Sequence, residues 1–229
     1  KPKWSMVLDI DLLAKDESEN WVYKGINCLE PSFDICLVSL SRGGKDAIVI
    51  REFNLKLKQF VKEGFSLPES KSHIAWVDQN TVMVGDGTDT TTLTTSGYPT
   101  QIKVLKRGED IKSANVVFKS TAGAVGASVW TEWVDNKRYI FVVNEISFFT
   151  AERFFLDLPS LKLTKIPIPN SANFESLYKG QLLFSSREVL ESFPAGSLLS
   201  ISINDLSSLK PKINPVFTPS EVSFYENSA

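Results

Sequence analysis

Short apolar runs, each three to seven residues long, recur along this chain and are separated by turn residues. In the first complete set, Trp21-Val22-Tyr23-Lys24-Gly25-Ile26, Ile35 to Leu40, Ala47 to Phe53 and Leu57 to Val61 read as four strands. Glu30-Pro31-Ser32, Arg42-Gly43-Gly44 and Asn54 are the turns between them. Four antiparallel strands in about forty-five residues is the size of one propeller blade. The pattern repeats. Ile74 to Val77, Thr81 to Val84, Gln101 to Lys106 and Asn115 to Phe118 form a second set, with a Thr-rich loop from Asp86 to Thr100. The third set is Ala127 to Trp133, Arg138 to Val143, Glu152 to Leu156 and Leu163 to Ile166, with Asp135-Asn136-Lys137 as a tight turn. The fourth is Ser176 to Tyr178, Gln181 to Phe184, Ser197 to Ile203 and Ile213 to Phe217.

The expected fold is therefore an all-β propeller with four complete four-stranded blades, at about residues 21–64, 73–119, 126–169 and 172–219. Stray terminal strands are expected at Trp4 to Asp9 and Val222 to Tyr225, and Asp11 to Asn20 reads as a connecting loop with one helical turn. Pro167, Pro169, Pro211 and Pro215 fall in or beside fourth strands, the outer edge of a blade, where a missing N–H is tolerated. No stretch of helical period longer than about ten residues competes. The whole chain, 1–229, reads as one propeller domain.

Composition changes this picture little. Lys plus Arg is 25 and Asp plus Glu 27, a net charge of −2, which offers no electrostatic footprint for nucleic acid and no attraction to an anionic membrane. No apolar run approaches the roughly 18 residues of a membrane span. Lys1-Pro2-Lys3-Trp4 holds no initiator Met and no signal-peptide run, so the sequence reads as part of something longer. Cytoplasmic placement is preferred to periplasmic. Cys28 and Cys36 end one strand and start the next; the pair is expected close enough to bridge, with reduced and oxidised states both left open.

Candidate chemistry is sparse. There is no Gly-x-Ser-x-Gly elbow, and the only imidazole, His73, reads as a loop-edge residue. A glycosidase would need carboxylates across a pocket; Asp34, Asp78, Asp135 and Glu175 are the candidates, but each also stands where Asp or Glu serves a turn. Arg42-Gly43-Gly44-Lys45 lacks phosphate-loop spacing. Asp86-Gly87-Thr88-Asp89 hints at calcium but lacks the bidentate Glu of a helix-loop-helix site. Trp76, Trp130, Trp133, Phe154 and Phe155 read as core. No catalytic, cofactor-binding or metal-binding residue is assigned, and no cofactor is expected.

The order of several segments resembles the propeller domain of the prolyl oligopeptidase family of serine peptidases, in its bacterial branch. They are Trp4 to Leu13 with Glu19-Asn20-Trp21-Val22, the Cys28–Cys36 hairpin running into Leu37-Val38-Ser39-Leu40-Ser41-Arg42-Gly43-Gly44, Arg51-Glu52-Phe53, Leu93 to Pro99, and Phe193-Pro194-Ala195-Gly196-Ser197. The resemblance implies part of a seven-bladed propeller that caps an α/β-hydrolase domain and gates peptide substrates by size. That hydrolase domain of the same parent chain and the peptide substrate are then the expected partners. None of the family's catalytic residues maps onto this chain. The loops Ser41 to Asp46, Asp86 to Thr100, Asn144 to Ala151 and Ser185 to Gly196 are expected to face the hydrolase domain or the substrate. A stand-alone propeller serving as a protein-interaction scaffold is the alternative. Four blades do not close a seven-bladed ring, so an open arc with apolar terminal faces, self-associating through its ends, is expected in preference to a composite fifth blade.

Overall fold

The computed structural model describes residues 3–206, 208 and 210–225. The chain divides into two compact units, one running to Ser120 and including Val125–Thr131, the other comprising Thr121–Ala124 and the chain from Glu132 onward. All four sheets are antiparallel, with their main strands in sequence order, as an up-and-down blade requires.

In the first unit, β1 (Trp21–Cys28), β2 (Ile35–Arg42), β3 (Ile48–Asn54) and β4 (Gln59–Phe60) form one sheet, and β5 (Ser66–Ser70) also pairs with β3. The fourth strand thus differs from the reading Leu57 to Val61. It is two short pieces joined by a turn, and the sheet continues past Gly64 to Ser70. Glu52 explains the break. Its backbone N–H donates to the Phe65 carbonyl and its carbonyl accepts from Val61, while its buried carboxylate accepts the Phe65 N–H at 2.7 Å. A Cβ at Gly64 would lie 2.7 Å from the Glu52 Cβ, so only glycine fits the turn that wraps this side chain.

A second sheet follows: β6 (His73–Asp78), β7 (Thr81–Gly85), β8 (Gln101–Lys106) and β9 (Asn115–Lys119). Alternation along β2 and β3 gives the first sheet two apolar faces. Leu37 and Ile50 pack with Leu67, Trp76, Val82, Val84 and Leu105. The Trp76 indole N–H donates to the Asn27 carbonyl at 3.0 Å. Arg107, at the end of β8, grips the Glu52 carboxylate through two nitrogens at 2.9 and 3.1 Å and lies over the Phe65 ring.

The opposite face, Trp21, Val38, Leu40, Val49 and Phe53, is covered by Leu8, Ile10, Leu13 and Ala14. These belong to a two-turn helix, α1 (Ile10–Glu17), and the segment before it. Trp4 to Asp9 is therefore irregular and not a strand. Asp9 caps the helix, its carboxylate accepting the Leu12 N–H at 2.9 Å, and a cap needs extended backbone just where the strand was expected to end. Ser18 closes the helix in the left-handed region (φ 53°). Glu17 then accepts from the Trp21 indole at 2.8 Å and from Arg51 at 2.8 Å, tying helix to sheet. This sheet does not present the bare apolar face expected of an arc's first blade. Cys28 and Cys36 are direct cross-strand partners, 3.9 Å apart at Cα, and are joined as a disulfide.

The third sheet orders β10 (Gly126–Val134), β11 (Lys137–Glu145), β12 (Ala151–Asp157) and β13 (Lys162–Lys165); the division between the units falls within β10. Asp135 (φ 50°) and Asn136 (φ 59°) make the two-residue turn into β11. The fourth sheet orders β14 (Asn173–Tyr178), β15 (Gln181–Ser185), β16 (Leu198–Ser202) and β17 (Ile213–Phe217), with a 3₁₀ turn at Ile203–Asp205. In this unit Phe141 packs against Phe155 and Phe174, at centroid distances of 6.1 and 5.2 Å. Pro215 lies in β17, the edge strand of its sheet. Val222 to Tyr225 is not a strand either; a single bridge joins Ser220 to Ser223.

Candidate functional site

One loop in each of the four sheets joins the second strand to the third. In the first unit these loops are built from polar side chains bonded inward. The β2–β3 turn has Gly43 (φ 66°) and Gly44 (φ 81°) at its tip, and Gly43 N–H donates to the Asn20 carbonyl at 2.8 Å. Arg42 lies over the Trp21 ring and is shared between Glu19 at 2.5 Å and Glu69 at 3.0 Å. Its hydrogen bond holds the Glu19 carboxyl below the usual carboxylate range.

The 86–100 loop is anchored at both ends. Asp86 and Lys103, both buried, meet at 2.8 Å. Burial works to raise the Asp86 carboxyl, but the Lys103 ammonium, with the Thr88 hydroxyl and amide, overcomes it and leaves Asp86 below its ordinary value. At Gly87 a Cβ would lie 3.0 Å from the Lys71 backbone, so this approach also requires glycine. Gly87 N–H donates to Ser72 Oγ, which is 2.7 Å from Ser70 Oγ. Asp89 caps the short turn Thr90–Thr92. Lys71 fastens the far end of the loop. Its ammonium donates to the Ser96 carbonyl at 3.0 Å, lies 4.4 Å from the Tyr98 ring centre and is 3.8 Å from Asp46 of the β2–β3 turn.

In the second unit the β11–β12 loop is apolar at its tip. Buried Asn144 fixes the base of the β11–β12 loop, donating to Thr121 Oγ1 and Glu152 Oε2, both at 3.0 Å. The hydrogen bond from Lys165 first, and that from Asn144 second, lower the Glu152 carboxyl. Ile146 and Ser147 N–H both donate to the Thr150 carbonyl, and the Ser147 and Thr150 hydroxyls are 2.7 Å apart. On this small framework Phe148 is 92% exposed and Phe149 74% exposed. In the β15–β16 loop, Ser186 and Ser197 pair through backbone, Leu190 bridges Phe193, and Val189 stands exposed.

The residues weighed for chemistry have local work. Asp34 pairs with Lys56 at 2.7 Å, Asp78 accepts the Asn80 N–H of its own turn, and Asp135 sits in its hairpin turn. Glu175 accepts from Ser185 and Tyr225 hydroxyls. His73 opens β6 opposite Gly85. Asp86 accepts from Lys103 and Thr88 and Asp89 Oδ1 from Thr91, and no group of three metal-ligating side chains occurs among the described residues. Sequence reasoning missed Lys71 and the pair Phe148–Phe149. Neither belongs to a motif; adjacent aromatics in a loop between two strands were the available signal.

The family model described as the N-terminal β-propeller domain of prolyl oligopeptidase matches residues 1–216. An uncharacterized peptidase of Sinorhizobium fredii is 37% identical over 187 residues, covering 80% of this chain and 26% of that protein. An uncharacterized peptidase of Rickettsia prowazekii is 30% identical over 241 residues, covering 96% and 33%. Among solved structures, a post-proline cleaving enzyme from Rickettsia typhi superposes with a TM-score of 0.86 at 28% identity, covering 96% of this chain and 35% of that one. The chain spans about a quarter to a third of the length of these relatives.

Proposed function

The chain belongs to the prolyl oligopeptidase N-terminal β-propeller family, and from that premise we propose that it is the non-catalytic propeller of a prolyl-oligopeptidase-like serine peptidase. In this reading it gates access of peptide substrates to an α/β-hydrolase domain of the parent protein. The observation that carries the reading is the likeness to the R. typhi enzyme, which holds over 96% of this chain but only 35% of that enzyme. The remainder of such an enzyme is where the nucleophile, base and orienting carboxylate of a serine peptidase belong. The inward-bonded loops support the gating role, because a gate needs a rim that keeps its shape while substrate passes.

Two assays test it. The chain alone should not turn over a chromogenic proline-containing peptide; turnover by the pure chain would overturn the non-catalytic assignment. The parent protein should cleave a short peptide and spare the same sequence held in a folded protein. Equal kcat/KM for both would remove the gate.

A further inference from the structure

We propose that Phe148 and Phe149, presented on the β11–β12 loop, are the anchor by which this propeller docks the catalytic domain of its parent chain. The inference rests on the functional reading above and adds to it the residues that make the contact. Two adjacent aromatic rings at 92% and 74% exposure are an unusual surface feature, since each Phe carries roughly 150–250 Å² that water disfavours. Loose chain does not account for it. The loop is pinned by two N–H groups on the Thr150 carbonyl, by the Ser147–Thr150 hydroxyl pair and by Phe149 N–H on Ser147 Oγ. Buried Asn144 holds the strand end behind it, bonded to Thr121 and Glu152. A rigid base, a polar collar of Ser147 and Thr150 and an aromatic tip is the anatomy of an interface hot spot, in which a pre-ordered anchor enters a pocket and the collar excludes water.

Length argues for the occupant. The chain spans 26% and 33% of two curated relatives and 35% of the solved one, so the larger part of a homologous protein lies outside the described residues. A covalently attached domain meets the loop at high effective concentration, so two rings suffice where a free partner would need a larger patch.

The test uses the full-length parent. With Phe149→p-benzoylphenylalanine, irradiation should cross-link this position to the catalytic domain, as mapped by peptide mass spectrometry. Cross-links confined to the propeller, or joining two copies, overturn the proposal. So does transfer of the cross-link to an added uncleavable peptide, which would make substrate the occupant. In the parent carrying Phe148→Ser and Phe149→Ser, protease nicking between the domains should accelerate at least about tenfold, the effect of losing one good anchor on a docking equilibrium. Unchanged nicking overturns the proposal, and an unchanged unfolding midpoint shows that the variant is folded. Failure of the underlying reading is separately visible: a parent reading frame without a hydrolase domain, or a parent inactive on every short peptide, refutes the function before any cross-link is made.

Discussion

The 86–100 loop and the 146–150 loop occupy the same topological position, each carrying the chain from the second to the third strand of its sheet, and they are built on opposite principles. The longer one turns its polar groups inward onto Lys103, Lys71, Ser72 and its own threonines. The shorter one satisfies its backbone within five residues and leaves its apolar side chains in water. A loop that bonds inward adds to the stability of its own sheet. A loop that holds rings outward adds nothing to its own fold and is paid for only by a partner. Energetic damage should therefore concentrate at the first loop and functional damage at the second.

The sharpest way to break this comparison is Lys103→Met, which leaves the Asp86 carboxylate buried and unpaired. Unfolding in urea should show a loss of about 3–5 kcal/mol, and Asp86→Leu added to Lys103→Met should restore most of it. Acid should act in the same direction. The folded Asp86 pKa lies below the unfolded one, so its contribution is complete above about pH 4 and fades as pH falls through the folded value. A Lys103→Met variant should lose that acid-dependent component of its melting curve. A control outside both loops is the Cys28–Cys36 bridge. Reduction should cost about 2–3 kcal/mol for a closure of this length, read as a lower midpoint in dithiothreitol. Smaller is Lys71→Met, which cuts the tether of the 86–100 loop at a cost of about 0.5–1.5 kcal/mol. Hydrogen exchange at residues 94–98 should quicken, and no change there would show that Lys71 is not the tether. Smallest is Phe148→Ser, which should leave the chain's stability within about 0.5 kcal/mol. A larger loss would mean that the rings serve this fold after all.

The strand order was legible because period-2 alternation bounded by glycine, proline and asparagine is a short-range signal, and β6 to β17 form on the runs that carry it. The errors lie where a local bond overrules the pattern. Trp4 to Asp9 has the length and apolar content of a strand, but the Asp9 cap and the spacing of Ile10, Leu13 and Ala14 start a helix whose stripe is only two turns long. At Gly64 the turn around the Glu52 carboxylate looks from sequence like the end of a blade, although Leu67 resumes the buried alternation in β5. The bridge between Cys28 and Cys36 could be placed but not its oxidation state, which depends on geometry that spacing leaves open. The candidate site was legible as a set of loops and illegible in its chemistry. The tether from Lys71 to Ser96 spans 25 positions, and nothing near either residue announces it.

The cover that α1 lays over the first sheet bears on how the chain leaves the ribosome. Residues 8–14 are translated before the strands they shield, and every residue of the cluster they join lies at or before Phe60. When that stretch has cleared the exit tunnel, one flank of the nascent sheet can seal without any later blade, through contacts close in sequence and quick to form. Vectorial synthesis thus delivers the lid ahead of the surface it closes, and spares chaperones one of the two oily flanks that an unfinished propeller would otherwise display.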